Sequence, residues 1–136
     1  MRSTCISGVL AAAALSACGG GGGDDINQPS NRPAGSVSIV EQAETKGTTA
    51  FNPNPQTVSV ANGGVVSWYN DDRVAAGGQY GGSEGTIHNI VSDDLSFSSG
   101  NLVPGARFQQ TFQALGDHGY HCGIHPTMRG TITVTP

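Results

Sequence analysis

Charged residues are scarce in this 136-residue chain: they make up 12% of it, with only six basic residues against ten acidic ones. The lysines and arginines are scattered singly, so the sequence offers no basic patch of the kind that binds nucleic acid. We therefore expect no nucleic-acid partner. Amphipathic helical periodicity of useful length is also missing, which argues against a helical fold.

A long apolar run is missing as well. A membrane-spanning helix needs about 20 apolar residues, and no run in this sequence reaches that length. The apolar stretch 6–15, ISGVLAAAAL, has ten residues and follows a short positive start, which is typical of a secretory signal. It ends in LSAC, which resembles the lipobox of bacterial lipoproteins, where the cysteine is lipidated and the signal is cut just before it. We predict a signal peptide over residues 1–17 and a lipid on Cys18. In the alternative, an ordinary signal peptide, Cys18 is incidental.

Residues 18–35 have almost nothing to bury, because five glycines are followed by DDINQPSNRPAG. This composition predicts a flexible tether that carries the lipid at Cys18 and leads into one domain over residues 36–136. We therefore expect an exported protein, lipid-anchored in the bacterial periplasm. Because Gly19 rather than an aspartate follows Cys18, the lipoprotein resemblance favours the outer membrane over the inner membrane.

Cysteine is almost absent from the domain. Of the three cysteines, Cys5 lies in the predicted signal and Cys18 in the lipobox, so Cys122 alone remains and no internal disulfide is expected. A free thiol is a liability in an oxidising compartment, which indicates that Cys122 has another role.

The rest of the chain alternates apolar and polar residues in short segments separated by turn residues. The predicted strands cover residues 36–40, 57–60, 65–70, 86–92, 95–100, 107–113, 119–122 and 130–136. ANGG at 61–64 predicts a hairpin turn, and Trp68, the only tryptophan, is expected in the core. Seven to eight short strands predict an all-β fold, a β-sandwich.

The stretch 71–85, DDRVAAGGQYGGSEG, interrupts this pattern. It is long for a connection between two strands of a compact domain, and such loops are often functional or mobile. A solvated insertion is the simpler interpretation.

One loop near the end of the chain collects three side chains that bind soft metals. In YHCGIHPTMRG, residues 120–130, the residues Cys122, His125 and Met128 follow at intervals of three. Ordinary zinc and magnesium sites do not use a thioether, whereas one cysteine, two histidines and a long axial methionine form a blue-copper electron-transfer site. The loop therefore predicts three of the four ligands of a single copper ion.

The second histidine must come from elsewhere in the chain. His121 adjoins Cys122 on one strand, so its side chain points to the opposite face. His118 falls in a predicted turn. This leaves His88, on the predicted strand 86–92, as the best candidate.

From about Phe51 to Val134 the sequence resembles the cupredoxins, the blue type 1 copper proteins of plastocyanin and amicyanin type. The matching stretches are FNPNPQTVSVANGGVVSWYND, HNIVS, FSSG, LVPGARFQQTF and YHCGIHPTMRGTITV. The two-residue gap between His125 and Met128 is the short ligand loop of amicyanin. The resemblance implies a cupredoxin-like Greek-key β-sandwich of seven to eight strands. It also implies one type 1 copper bound by His88, Cys122, His125 and Met128.

The resemblance further implies a role for Asn89. Its backbone N–H would donate to the thiolate sulfur, and its side chain would tie the two ligand-bearing segments together. The stretch 71–85, just before His88, is longer than in the small family members.

The implied function is electron transfer between exported redox proteins, such as cytochromes, dehydrogenases or oxidases, by a monomer that is not an enzyme. One alternative is a copper-binding or delivery protein on the same scaffold, although only two methionines are present and one is the initiator. The other is a zinc site of His118, His121, Cys122 and His125. That site is the weakest interpretation, because the adjacent side chains of His121 and Cys122 diverge in an extended strand.

Overall fold

The computed structural model describes residues 31–73 and 85–136. Within these ranges the chain forms eight strands: β1 (Ser36–Ile39), β2 (Phe51–Asn52), β3 (Gln56–Ser59), β4 (Val65–Asn70), β5 (Val91–Ser92), β6 (Arg107–Thr111), β7 (Gly116–His121) and β8 (Arg129–Thr135). Three short 3-10 helices lie between them: Ala43–Thr45, Gly47–Thr49 and Val60–Asn62.

The strands pair in two four-stranded sheets, ordered β2-β1-β4-β6 and β3-β8-β7-β5. In the first sheet, β4 runs parallel to β1 and antiparallel to β6. In the second, β8 runs parallel to β3 and antiparallel to β7. The predicted all-β sandwich is confirmed.

Alternating residues of both sheets point into one core, as period-two strands require. Trp68 of β4 is fully buried. Its ring centroid lies 5.7 Å from that of Phe108 in the same sheet and 5.3 Å from that of Tyr120 in the other. Ile132 and Val134 of β8 are buried as their alternation predicts. Truncating a buried aromatic of this size costs about 3–5 kcal/mol, so Trp68 is a main contact between the two sheets.

The predicted hairpin at residues 61–64 is wrong. The chain does turn there, with positive φ angles of 91° at Gly63 and 61° at Gly64. However, β3 belongs to the second sheet and β4 to the first. The turn therefore carries the chain from one sheet to the other.

The long strand predicted over residues 86–92 is largely wrong as well. Only Val91–Ser92 forms a strand, β5, while His88 is held by an isolated bridge to Leu102. His118 lies on strand β7 and not in a turn. The backbone around His88 therefore pairs with the segment around Leu102 instead of extending a sheet.

The chain contacts the domain before β1 begins. Arg32 donates a hydrogen bond of 2.7 Å from a guanidinium nitrogen to Asp71 Oδ1, and its guanidinium carbon lies 3.9 Å from the centroid of the Tyr69 ring. Residues of the predicted tether next to β1 thus pack on the first sheet.

Several predicted features lie outside the described residues. These are the signal peptide 1–17, Cys18, the tether up to residue 30, and residues 74–84 of the stretch 71–85. No helix in the described ranges is long and apolar enough to cross a membrane.

Candidate metal centre

The loop that joins β7 to β8 presents three of the predicted ligands. Cys122 follows the last residue of β7, and Met128 precedes the first residue of β8. The backbone N–H of Cys122 donates to the carbonyl of Met128 at 3.1 Å, and that of Met128 donates to the carbonyl of His125 at 2.9 Å. These two bonds close the loop with protein groups alone.

His88 reaches the loop from the segment between β4 and β5. Its backbone N–H donates to the carbonyl of Leu102 at 3.1 Å, and the N–H of Leu102 donates back at 2.7 Å. The buried side chain of Asn70 supports both segments, because its amide donates to the carbonyls of Thr86 and Leu102 at 2.8 Å each. The first predicted histidine is therefore fixed by backbone and by a buried amide.

The structure brings the donor atoms of three predicted ligands within 3.9 Å of one another. His88 Nδ1 lies 3.2 Å from His125 Nδ1 and 3.9 Å from Cys122 Sγ. His125 Nδ1 lies 3.8 Å from the same sulfur. His88 is 34 residues from Cys122 and 37 from His125 along the chain, so the triangle is a product of the fold.

The four proposed ligands differ in how much of their surface is exposed to solvent. His88, Cys122 and Met128 have no exposed surface, whereas His125 is partly exposed. Met128 belongs to the same buried core as Cys122. One imidazole edge therefore reaches the surface while the rest of the site is closed to water.

The donor triangle fits a copper ion. Metal bonds of about 2.0–2.1 Å to nitrogen and about 2.3 Å to sulfur, as in zinc sites, place neighbouring donors roughly 3–4 Å apart. The observed separations of 3.2, 3.8 and 3.9 Å fall in that range. Two imidazoles and a thiolate, with a buried thioether close by in the chain, match the ligand preferences of type 1 copper.

The surroundings of Cys122 favour the thiolate that a metal needs. Burial raises the pKa of the thiol, but a hydrogen bond with His88 and the backbone N–H groups around the sulfur lower it more, to about 6. One of those N–H groups belongs to Asn89.

The side chain of Asn89 links the two ligand-bearing segments. Its Oδ1 accepts a hydrogen bond of 2.6 Å from the backbone N–H of Gly123 and lies 3.5 Å from Cys122 Sγ. This contact matches the tie that the resemblance implied.

Sequence reasoning missed Asp72, which lies just after β4. Its Oδ2 is 2.8 Å from His88 Nε2, and the carboxylate also accepts from the backbone N–H groups of Gln42 at 2.8 Å and Ala43 at 3.3 Å. Asp72 belongs to the stretch 71–85, for which the sequence alone favours a solvated insertion. The only signal in the sequence was an acidic pair directly after a buried strand.

The contact between Asp72 and His88 changes the acidity of both groups. Burial lowers the pKa of His88, but its hydrogen bonds with Cys122 and Asp72 raise it more, and the pKa ends above its ordinary value. Burial raises the pKa of Asp72, but the bond with His88 and the two backbone N–H groups bring it below its ordinary value. Asp72 is thus an anion in the folded protein at neutral pH.

The two remaining histidines point elsewhere. His121 Nδ1 lies 2.6 Å from Asp93 Oδ1 on the outer face of the second sheet, and His118 Nε2 lies 2.8 Å from the carbonyl oxygen of Ala114. The candidate metal-binding groups found among residues 31–73 and 85–136 include neither of them. The geometry therefore does not support a zinc site of His118, His121, Cys122 and His125.

Exposed apolar side chains neighbour the ligands in sequence. Ile87 precedes His88 and is 42% exposed, and Ile124 precedes His125 and is 45% exposed. Val103, next to the bridge partner of His88, is 54% exposed. Pro126 is exposed too.

Comparison with known proteins identifies the fold. No protein-family profile matches the chain, and no curated protein matches it. Among solved structures, a purple cupredoxin from Nitrosopumilus maritimus is 28% identical with a TM-score of 0.58, and the match covers 74% of this chain and 98% of that one. These matches confirm the resemblance to the cupredoxins.

Two further matches extend the comparison. A Cu-containing nitrite reductase from Thermus scotoductus is 27% identical with a TM-score of 0.53, over 74% of this chain but only 22% of the enzyme. A Cu(I) form of an amicyanin mutant is 23% identical with a TM-score of 0.54, over 75% of this chain and 82% of that one, which shows a shared fold.

Proposed function

We propose that this chain, which has the cupredoxin fold, is an electron-transfer protein that carries single electrons through one type 1 copper ion. His88, Cys122, His125 and Met128 would hold the ion. The observation that carries the proposal is the triangle of two Nδ1 atoms and one Sγ, with all three separations between 3.2 and 3.9 Å.

The ion would supply a one-electron redox couple, and the protein would keep its surroundings unchanged. The thiolate and thioether favour Cu(I), while the imidazoles favour Cu(II). Because His88 and Cys122 are tied by hydrogen bonds that need no metal, their donor atoms would move little between the two states. A small reorganisation favours fast electron transfer.

The partly exposed ring of His125 is the proposed electron port. Electron transfer falls steeply with distance, and among the four proposed ligands His125 alone is not fully shielded. The apolar side chains of Ile87, Val103 and Ile124 would let a redox partner approach without stripping water from charges.

A spectrum of copper-loaded protein tests the function. We expect an intense visible band from the thiolate–copper bond and narrow copper hyperfine splitting in the EPR spectrum. Since one similar structure is a purple cupredoxin, blue and purple both agree with the proposal. A colourless copper protein would favour copper delivery, and a protein that takes up only zinc would overturn the copper assignment.

We further propose that the protein is exported, lipid-anchored through Cys18 in the bacterial periplasm, and monomeric. Its partners would be exported redox proteins such as a cytochrome, a dehydrogenase or an oxidase. The support for the location is the sequence of residues 1–35. The outer membrane is the favoured place for the anchor.

A further inference from the structure

A buried carboxylate contacts the far side of a proposed copper ligand. His88 turns Nδ1 toward Cys122 and His125, and its other ring nitrogen, Nε2, lies 2.8 Å from Asp72 Oδ2. Both side chains are buried, with no exposed surface on His88 and 6% on Asp72. Because ionised Asp72 can only accept, Nε2 must carry the proton, and Nδ1 is left free to bind a metal.

The position of Asp72 is fixed by hydrogen bonds with three other residues. Gln42 and Ala43 donate backbone N–H bonds to its two oxygens. The backbone N–H of Asp72 itself donates to Asn70 Oδ1 at 3.0 Å. The carboxylate is therefore pre-positioned by groups that do not touch the proposed ion.

The negative charge beside His88 is concentrated. The Glu44 carboxylate lies in the same pocket, with its oxygen, an Asp72 oxygen and a His88 nitrogen all within 4.8 Å of one another. Asp72 is the one that hydrogen-bonds to the ring. Since charges in a buried site are weakly screened, this anion acts on anything bound at Nδ1.

We infer that Asp72 is a positioning residue that fixes the tautomer of His88 and lowers the reduction potential of the copper bound there. A carboxylate on the outer nitrogen makes an imidazole ligand more basic, and a buried negative charge favours the ion of higher charge. Both effects stabilise Cu(II) relative to Cu(I). This inference rests on the proposed copper function.

The test compares the reduction potentials of Asp72→Asn and Asp71→Asn with that of the wild-type protein. Both substitutions remove one negative charge at adjacent positions. Asp71, however, bonds Arg32 and Ser38 and makes no hydrogen bond with a proposed ligand among the described residues, so it is the matched control. Losing a partner of a metal ligand typically changes metal affinity about 10- to 100-fold.

For Asp72→Asn we expect the ratio of Cu(II) to Cu(I) affinity to fall at least tenfold, which raises a one-electron potential by about 59 mV. For Asp71→Asn we expect a change of less than about twofold, because Asp71 bonds Arg32 and Ser38 and not the ring of His88. Equal potentials for the two variants would overturn the inference while leaving the copper function intact. Absence of a visible band in the copper-loaded wild-type protein would instead contradict the proposed copper function itself.

A second variant and a second measurement cover the case in which Asp72→Asn folds poorly. Asp72→Ser also removes the charge, but it places no amide among the backbone donors, and circular dichroism reports whether it is folded. In zinc-loaded protein, which is diamagnetic, NMR follows the proton on His88 Nε2. We expect this proton to be deshielded and slow to exchange in wild type and Asp71→Asn, and to move upfield and exchange faster in both Asp72 variants. An unchanged resonance would contradict the positioning role.

Discussion

The colour of the protein is expected to depend on Cys122, whose Sγ lies 3.9 Å and 3.8 Å from the two ring nitrogens of the proposed site. Cys122→Ser replaces a soft thiolate by a hydroxyl that does not ionise at neutral pH, while the side chain keeps nearly the same size. We expect the visible band to vanish and the far-UV circular dichroism of the β-sandwich to remain. A band of normal intensity in this variant would disprove the ligand assignment.

His121→Ala is the matched control, because His121 is the direct neighbour of Cys122 and its ring bonds Asp93 on the outer face. We expect its visible band to be unchanged. Loss of the band in this variant would instead support a site that includes His121.

At the scale of single residues, spacing along one loop was enough to predict Cys122, His125 and Met128 as ligands, and strand alternation excluded His121. These assignments remain predictions until a metal is bound, but the structure brings three of the four donor groups together. Asp72 could not be found in the same way. Its partner His88 lies 16 residues away and its backbone donors 29 to 30 residues away, so only the folded chain shows the contact.

Among the elements, the end of β4 has the greatest influence on the site. Asn70, its last residue, donates to two carbonyls beside His88 and accepts from the N–H of Asp72. Asn70→Ala would leave buried polar groups unpaired, at a cost of about 1–3 kcal/mol for each group. We expect lower stability in urea and, because the His88 segment loosens, faster loss of copper.

Val134→Ala is the control for that prediction. It opens a core cavity and costs about 1–3 kcal/mol, but Val134 pairs with Gly116 at the start of β7, away from Cys122 after its end. We expect comparable destabilisation with normal copper retention. If both variants lose copper at the same rate, Asn70 acts on the site only through global stability.

The strands with clear alternation were predictable from the sequence, as β4, β6 and β8 show. The pairing of the strands was not predictable, because a turn signal such as that at 61–64 specifies a local reversal of the chain and not which strand lies alongside. The strand prediction for the segment around His88 was wrong for another reason. Its apolar residues suit a strand, but it bonds to the segment around Leu102 only by an isolated bridge.

At the scale of the molecule, the exposed apolar residues beside the ligands predict one docking surface. Ile124→Lys places a charge next to His125, and we expect electron transfer to a redox partner to slow at least tenfold while the visible band stays unchanged, since a buried charge costs about 1.4 kcal/mol or more at an apolar contact. Stopped-flow kinetics with a soluble cytochrome measures the rate.

Leu115→Lys is the matched control for the docking prediction. Leu115 is 57% exposed and precedes β7, whereas Cys122 follows it. A strand of six residues spans about 20 Å, so the control lies at the opposite end of the sandwich. Equal rates for the two lysine variants would place the electron port elsewhere.

Anchoring is the second prediction for the whole molecule. A single lipidated residue is the only anchor proposed, so Cys18→Ala should move the protein from the membrane fraction to the soluble fraction. Cys5→Ala, within the predicted signal, should leave the protein on the membrane. Mass spectrometry of the mature N-terminus without a lipid on Cys18 would contradict the lipoprotein prediction.

The closed loop between β7 and β8 bears on whether the chain folds before or after an ion is inserted. Its two backbone bonds, from Cys122 to Met128 and from Met128 to His125, join protein groups only. If the protein is exported as proposed, the chain could therefore fold after crossing the membrane, and the ion would be inserted last. Because the other proposed ligands are buried, the edge of His125 would also be the entry point for the ion, and delivery of copper and docking of a redox partner would then compete for one surface.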